Sequence, residues 1–296
     1  MPTTTELRTT DEPRLAGTLH LPDGPPIAAI VMVPGSGPTH RDNDTYFPPI
    51  RDGLLAAGIA VASFDKRGVG GSEGDWRDTG PARQAGDVAA QLARVRQEAS
   101  VAARPLGLLG HSQGGWVVLD VAAADEAIAF VVTNSGPGVT WAHQGRYATA
   151  TRLRASGSTP GEIEAAMHAY DRIVGLVRAG GSFDVVQGVA TDAGLVDGAP
   201  ADAAELELAR RWLDHDPRDA LERIRCPVLA LFGGADPIVP VDDSVAVFVA
   251  ARTGRPGGLR VEVFEGGDHR IRVGEPPRLH PDYLPTITRW IHSLVG

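Results

Sequence analysis

Pro105-Leu106-Gly107-Leu108-Leu109-Gly110-His111-Ser112-Gln113-Gly114-Gly115-Trp116-Val117-Val118-Leu119 is the stretch that decides how this chain folds. Residues 105–109 form a short apolar run of the kind that builds a buried strand, and residues 113–124 read as a helix. Ser112 falls at the junction, between Gly110 and Gly114. A sharp strand-to-helix turn needs glycines there, because neighbouring segments approach too closely for a bulky side chain. Such a turn exposes the serine hydroxyl and aims the next backbone N–H at the same point, as nucleophilic attack on a carbonyl requires. Gly-x-Ser-x-Gly occurs a second time, as Gly70-Gly71-Ser72-Glu73-Gly74. That copy follows Asp65-Lys66-Arg67-Gly68-Val69, already past its strand, and leads into the polar Asp75-Trp76-Arg77-Asp78. Context selects Ser112 as the nucleophile and leaves Ser72 in a loop. His111 is adjacent to Ser112, but a turn of this kind points neighbouring side chains in different directions, so His111 is expected to pack behind the nucleophile.

Working outward, short apolar runs alternate with helical patterns, the mark of βαβ units and a mostly parallel, doubly wound sheet of about eight strands. Strands are expected at 5–9, 14–21, 27–33, 59–64, 105–109, 127–133, 227–232 and 259–264, the first two pairing antiparallel. Helices are expected at 49–57, 81–99, 113–124, 242–251 and 281–294. Within the second of these, Val88, Leu92 and Val95 share a face. From residue 137 to 221 the alternation stops. Two helical stretches remain there, one carrying Ile163, Met167, Tyr170, Val174 and Val177, the other Leu206, Ala209 and Leu213. The expected division is a core of residues 1–136 and 222–296, with 137–221 inserted as a helical cap over the strand ends where ligands bind in open sheets. Trp141, His143, Arg146 and Tyr147 open that insertion and either line the pocket or pack the cap onto the sheet.

A serine hydroxyl is a poor nucleophile until an imidazole takes its proton, and the imidazole needs a carboxylate to fix its tautomer. His269 closes Glu265-Gly266-Gly267-Asp268-His269, a glycine-flexed loop directly after the last strand. The other histidines lack such a setting. Asp236 follows Leu231-Phe232-Gly233-Gly234-Ala235 at the end of the preceding strand, between Ser112 and His269 in chain order. Asp268 points elsewhere, and Asp242 and Asp243 read as helix-start residues. Two N–H donors must also meet the oxygen that becomes negative. Gln113 N–H is one; Ser36 N–H, in the Pro34-Gly35-Ser36-Gly37-Pro38 loop after the first parallel strand, is the expected second. That loop has neither phosphate-binding spacing, Gly-x-x-x-x-Gly-Lys or Gly-x-Gly-x-x-Gly.

Composition narrows the classes. The 296 residues are 43% hydrophobic and 22% charged, enough for one sizeable core. A net charge of −9 opposes binding to a phosphate backbone, so no nucleic-acid partner is expected. Lys66 is the only lysine; this reads as compositional bias, without functional consequence. The polar start of the chain is not expected to act as a signal peptide, and no apolar run is long enough to span a membrane. With one cysteine, Cys226, expected to be a packing residue, a reducing cytoplasmic location is the simplest.

These pieces together resemble the α/β-hydrolase superfamily over nearly the whole chain. They are the 34–38 loop, Phe64-Asp-Lys-Arg-Gly-Val-Gly-Gly-Ser72, Gly110-His-Ser-Gln-Gly-Gly115, Cys226-Pro-Val-Leu-Ala-Leu-Phe-Gly-Gly-Ala-Asp236 and Gly266-Gly-Asp-His269. Gly35-Ser-Gly-Pro38 with Arg41-Asp42 is similar to bacterial capped carboxylesterases and serine peptidase-like hydrolases. Many members have His-Gly in the oxyanion loop, where this chain has Pro34-Gly35. The resemblance implies an α/β-hydrolase fold and an acyl-transfer enzyme, most simply a carboxylesterase acting on a small-molecule acyl substrate. It needs no cofactor and no metal. A thioesterase, an aminopeptidase and a C–C bond hydrolase use the same three side chains, and a ligand-binding protein on the same fold is the non-enzymatic alternative.

Overall fold

Eight short apolar or alternating runs become strands: β1 (Thr3–Arg8), β2 (Ala16–Leu21), β3 (Ala28–Val33), β4 (Ile59–Phe64), β5 (Leu106–His111), β6 (Val131–Asn134), β7 (Val228–Gly233) and β8 (Leu259–Phe264). In the computed structural model, which describes residues 3–296, they form one sheet in the order β1-β2-β4-β3-β5-β6-β7-β8. β1 and β2 pair antiparallel, as do β2 and β4; every other neighbouring pair is parallel. The helices are α1 (Phe47–Ala56), α2 (Pro81–Arg96), α3 (Gln113–Ala124), α4 (Trp141–Ala155), α5 (Pro160–Arg178), α6 (Phe183–Asp192), α7 (Ala203–Trp212), α8 (Arg218–Arg223), α9 (Val241–Arg252) and α10 (Tyr283–Val295). Among the described residues no helix is long and apolar enough to cross a membrane.

Both faces of the sheet are covered, and β3 shows how. Its Ala29, Val31 and Val33 join one buried cluster with Val88, Leu92 and Val95 of α2, Val117 of α3, Leu221 of α8 and Phe248 of α9. Its Ala28, Ile30 and Met32 join the other, with Phe47, Ile50 and Leu54 of α1 and Tyr283, Ile287 and Ile291 of α10. Extended backbone alternates side chains between faces, so a strand covered on both must be apolar throughout. The chain leaves β3 for β4 on one side and returns past β3 to β5 on the other. The loops after β3 and β5 thus diverge, opening the crevice in which doubly wound sheets bind ligands.

The stretch between β6 and β7 holds five helices, α4 to α8, where the apolar repeat points only to α5 and α7. α4 escapes a search for apolar periodicity because only Thr149 and Ala150 of its 15 residues are buried. α5 is announced by a capping box, Thr159 with Glu162. The inserted helices share a cluster of their own, including Ala150, Met167, Val186 and Leu206. Residue 221, where the cap is expected to end, lies inside α8, whose Ala220 and Leu221 belong to the cluster under the sheet. Trp212 at the end of α7 ties the insertion down. It is fully buried, stacks on Trp116 of α3 at 5.9 Å, and donates its indole N–H to the Thr79 carbonyl at 3.3 Å. Burying a side chain of that size contributes about 2–3 kcal/mol.

Candidate active site

The turn between β5 and α3 is as tight as its glycines suggest. Ser112 has φ 53° and ψ −121°, left-handed backbone that a residue with a Cβ adopts only under strain. A Cβ on Gly110 would lie 2.2 Å from the Gly114 carbonyl oxygen, and one on Gly114 2.4 Å from the Val33 carbonyl oxygen. β5 and α3 therefore close onto each other and onto the end of β3. Ser112 N–H donates to the Asn134 carbonyl of β6 at 2.9 Å, and Ser112 O accepts from Gly115 at 2.7 Å. The serine is mostly buried, with 8% of its surface exposed, into a cavity of about 410 Å³ that His269, His111 and Ser36 also line.

Asp236 and His269 arrive on the loops that follow β7 and β8. These loops are joined by Gly234 N–H to the Phe264 carbonyl at 2.8 Å and Ala235 N–H to the Gly267 carbonyl at 2.9 Å. Asp236 Oδ2 meets His269 Nδ1 at 2.8 Å. Its Oδ1 accepts the N–H groups of Ile238, at 2.8 Å, and Val239, at 3.0 Å, which fix the carboxylate plane. With Nδ1 committed to the carboxylate, Nε2 is the ring nitrogen left to accept a proton. No hydrogen bond joins Ser112 Oγ to His269 here; contacts of this kind commonly tighten only when substrate is bound. Asp268 does turn away, its carboxylate taken by Arg272 at 2.9 Å.

His111 packs behind the serine as its position suggests. Its ring lies 4.8 Å from Tyr46 and 5.2 Å from His269, centroid to centroid. Asn43 Nδ2 sits 3.1 Å from His111 Nδ1, so an Asn43 donor makes Nδ1 the acceptor and leaves the proton on Nε2. Burial holds its pKa well below the ordinary histidine value. A neutral ring there adds no charge beside His269.

The 34–38 loop rests on the turn: a Cβ at Gly35 would lie 3.3 Å from Ser112 Cβ. Thr39 Oγ1 donates to the Ser36 and Gly37 carbonyls at 3.0 and 3.2 Å, which shapes the loop from inside. Among the described residues neither Ser36 N–H nor Gln113 N–H has a backbone acceptor outside the regular elements. Gln113 opens α3, so its N–H has no partner within the helix and carries the positive end of the helix dipole. A second cavity of about 260 Å³ adjoins Ser36 and Gln113 and is walled by Trp76, Trp141, Leu208 and Glu205. Of the four residues that open the insertion, Trp141 is therefore a cavity wall. Tyr147 donates its hydroxyl to the Asp236 carbonyl at 3.0 Å. His143 and Arg146 pair with Asp243, at 2.9 Å, and Asp171, at 3.0 Å. Trp76, Glu205 and Lys66, which touches the 34–38 loop, are residues around the candidate site that sequence patterns missed. Trp76 and Glu205 arrive by tertiary packing, whereas Lys66 had a signal, being the only lysine and sitting in Phe64-Asp-Lys-Arg.

The comparisons agree with this fold. A family model described as the alpha/beta hydrolase family matches residues 30–283. An uncharacterized 31.7 kDa protein from the traX-finO intergenic region of Escherichia coli is 22% identical over 236 residues, 76% of this chain and 77% of that protein. Among solved structures, an esterase of Pyrococcus furiosus superposes with a TM-score of 0.65 at 16% identity, covering 100% of this chain and 92% of that one. A proline iminopeptidase of Mycobacterium smegmatis superposes with a TM-score of 0.63 at 17% identity, covering 99% of each chain. At such identities the likeness to both structures is one of fold.

Proposed function

The chain belongs to the alpha/beta hydrolase family, and from that premise we propose that it is a serine hydrolase cleaving carboxylic esters through an acyl-enzyme on Ser112. Ser112 Oγ attacks the ester carbonyl while His269 Nε2 takes its proton. Asp236, held by two backbone N–H groups, keeps the imidazole in that tautomer and stabilises the imidazolium. Ser36 and Gln113 N–H groups receive the oxyanion. The tetrahedral adduct collapses as His269 returns the proton to the leaving alkoxide. Water, activated by the same imidazole, then attacks the acyl-serine, and a second collapse releases the carboxylic acid and restores Ser112. An ester suits this scheme better than an amide because an alkoxide leaves more readily than an amine.

The observation that carries this reading is the 2.8 Å His269–Asp236 contact on the same cavity as a serine in left-handed backbone. Residues 137–221 act as the cap in this scheme, Trp141 and Leu208 closing the smaller cavity over Ser36 and Gln113. The single cysteine fits a reducing cytoplasm. A second reading rests on Glu205, a carboxylate on that cavity beside Trp76 and Trp141. It suits the free amine of an aminopeptidase substrate. The test is hydrolysis of p-nitrophenyl esters from acetyl to lauroyl, alongside aminoacyl p-nitroanilides and fluorophosphonate labelling of Ser112. Ester turnover lost in Ser112→Ala supports the esterase reading, and preference for the anilides replaces it with the peptidase one. Neither turnover nor labelling would remove the hydrolase reading and favour a ligand-binding protein.

A further inference from the structure

We propose that Lys66 is the positioning residue of the oxyanion hole, pinning the Gly35–Ser36 peptide so that its N–H points at the reacting oxygen. The inference rests on the serine-hydrolase reading above. Lys66 Nζ donates to the Gly35 carbonyl and, at 3.2 Å, to Gln113 Oε1. Those two residues belong to the two segments that supply the oxyanion donors. The first contact is the more telling, because the Gly35 carbonyl and the Ser36 N–H are the two ends of one peptide group. That group is planar and trans, so holding its C=O in one direction aims its N–H in the opposite one. A hydrogen bond to the carbonyl also polarises the amide and strengthens its N–H as a donor.

Nothing structural accounts for a cation at this place. Among the described residues Lys66 forms no ion pair; Asp65 beside it is taken by Arg41 at 2.9 Å, and Arg67 pairs with Asp87 of α2. From the other elements it faces Gln113 of α3 and, across a void of about 30 Å³, Trp76, Thr79, Gln84, Gln91 and the Asp87 carboxylate of α2, which Arg67 occupies. Lys66 keeps some exposed surface, yet desolvation pulls its ammonium down to about 7. An ammonium beside the hole stabilises an oxyanion more than the neutral amine does. Turnover should therefore fall as pH rises through the Lys66 titration.

The test uses the full-length protein with Lys66→Met, Lys66→Gln and Lys66→Arg, assayed with p-nitrophenyl butyrate. Loss of one oxyanion donor costs about 100- to 1000-fold, so loosening one is expected to lower kcat by about 10- to 100-fold in the Met and Gln variants. KM should stay within about threefold, because the contact acts on the transition state. The Arg variant keeps the charge and should retain most of kcat while losing the alkaline limb. A second readout needs no variant. The side-chain ¹⁵N signal of the only lysine reports Nζ directly, and it should titrate at higher pH once phenylboronic acid places an anionic boronate on Ser112. Folded Met and Gln variants with wild-type kcat, or a lysine signal that ignores the boronate, would overturn the proposal. If those variants fail to fold, the boronate titration decides alone. A wild type that fluorophosphonate labels at Ser112, with unchanged Lys66 variants, removes only the role of Lys66. A wild type neither labelled nor active removes the serine-hydrolase reading, and the Lys66 role with it.

Discussion

The two Gly-x-Ser-x-Gly copies share a pattern and almost nothing else. Ser112 sits between β5 and α3 with φ 53°, its hydroxyl on a cavity shared with His269. Ser72 lies in the loop after β4, its hydroxyl turned inward. It donates to the Asp65 carbonyl at 2.8 Å and accepts the Ala16 N–H at 2.9 Å, holding that loop to β2. The Asp65 carboxylate continues the same work, accepting the Gly71 N–H at 3.0 Å and the Arg41 guanidinium at 2.9 Å. The difference teaches that glycines around a serine license a tight backbone. What the backbone joins decides whether the hydroxyl faces a cavity or is consumed by the fold.

The strongest way to break the comparison is to remove each hydroxyl. Ser112→Ala should cost about 10⁴-fold or more in kcat for p-nitrophenyl esters, with Ser72→Ala within a few-fold of wild type. Equal losses would mean the copies are not functionally distinct. Next come the glycines. Gly114→Ala drives a Cβ to 2.4 Å from the Val33 carbonyl oxygen, whereas at Gly74, with φ 89°, the nearest atom would be 3.4 Å away. Urea unfolding should therefore show a loss above about 3 kcal/mol for Gly114→Ala and about 1–2 kcal/mol for Gly74→Ala. Ser72→Ala leaves the buried Ala16 N–H without its acceptor and should lower stability by about 1–3 kcal/mol in the same assay. Ser112→Gly relieves left-handed strain, so this inactive variant should be more stable than Ser112→Ala by about 1 kcal/mol.

The smallest effect is a pH dependence around the Ser72 copy. Burial pushes the Asp65 carboxyl up, but the Arg41 guanidinium and the Gly71 and Arg41 N–H groups outweigh it and hold the pKa below the ordinary value. A carboxyl with a depressed folded-state pKa stabilises the fold above its unfolded-state pKa, near 3.9, and that contribution disappears as pH falls through the lower folded value. Thermal melts of wild type should therefore lose stability below about pH 4 more steeply than those of Asp65→Asn. A parallel pair of curves would show that Asp65 takes no part.

Much of the fold was readable because buried strands and amphipathic helices leave periodic apolar patterns. The eight expected strands and the five expected core helices form close to where those patterns put them. The positions of Ser112, Asp236 and His269 were legible for a related reason: each lies within five residues of a strand end, so the candidate site is written as local motifs there. α4 and α6 were not, since a helix that buries little of its surface leaves little periodicity. Lys66 was visible as the only lysine but its contacts were not, because no pattern ties residue 66 to residues 35 and 113.

By itself, then, the sequence determined the alternation of strands and helices, the strained serine turn, and the order of serine, acid and histidine. These are properties of neighbouring residues, governed by backbone sterics and side-chain period. The tertiary structure alone decided that Asp236 reaches His269 at 2.8 Å, and that Lys66 touches both Gly35 and Gln113. It alone also brought Trp76, Trp141 and Glu205 around one cavity. Those contacts join residues far apart in the chain, and they exist only once burial of the sheet's two faces has fixed where each strand end lies.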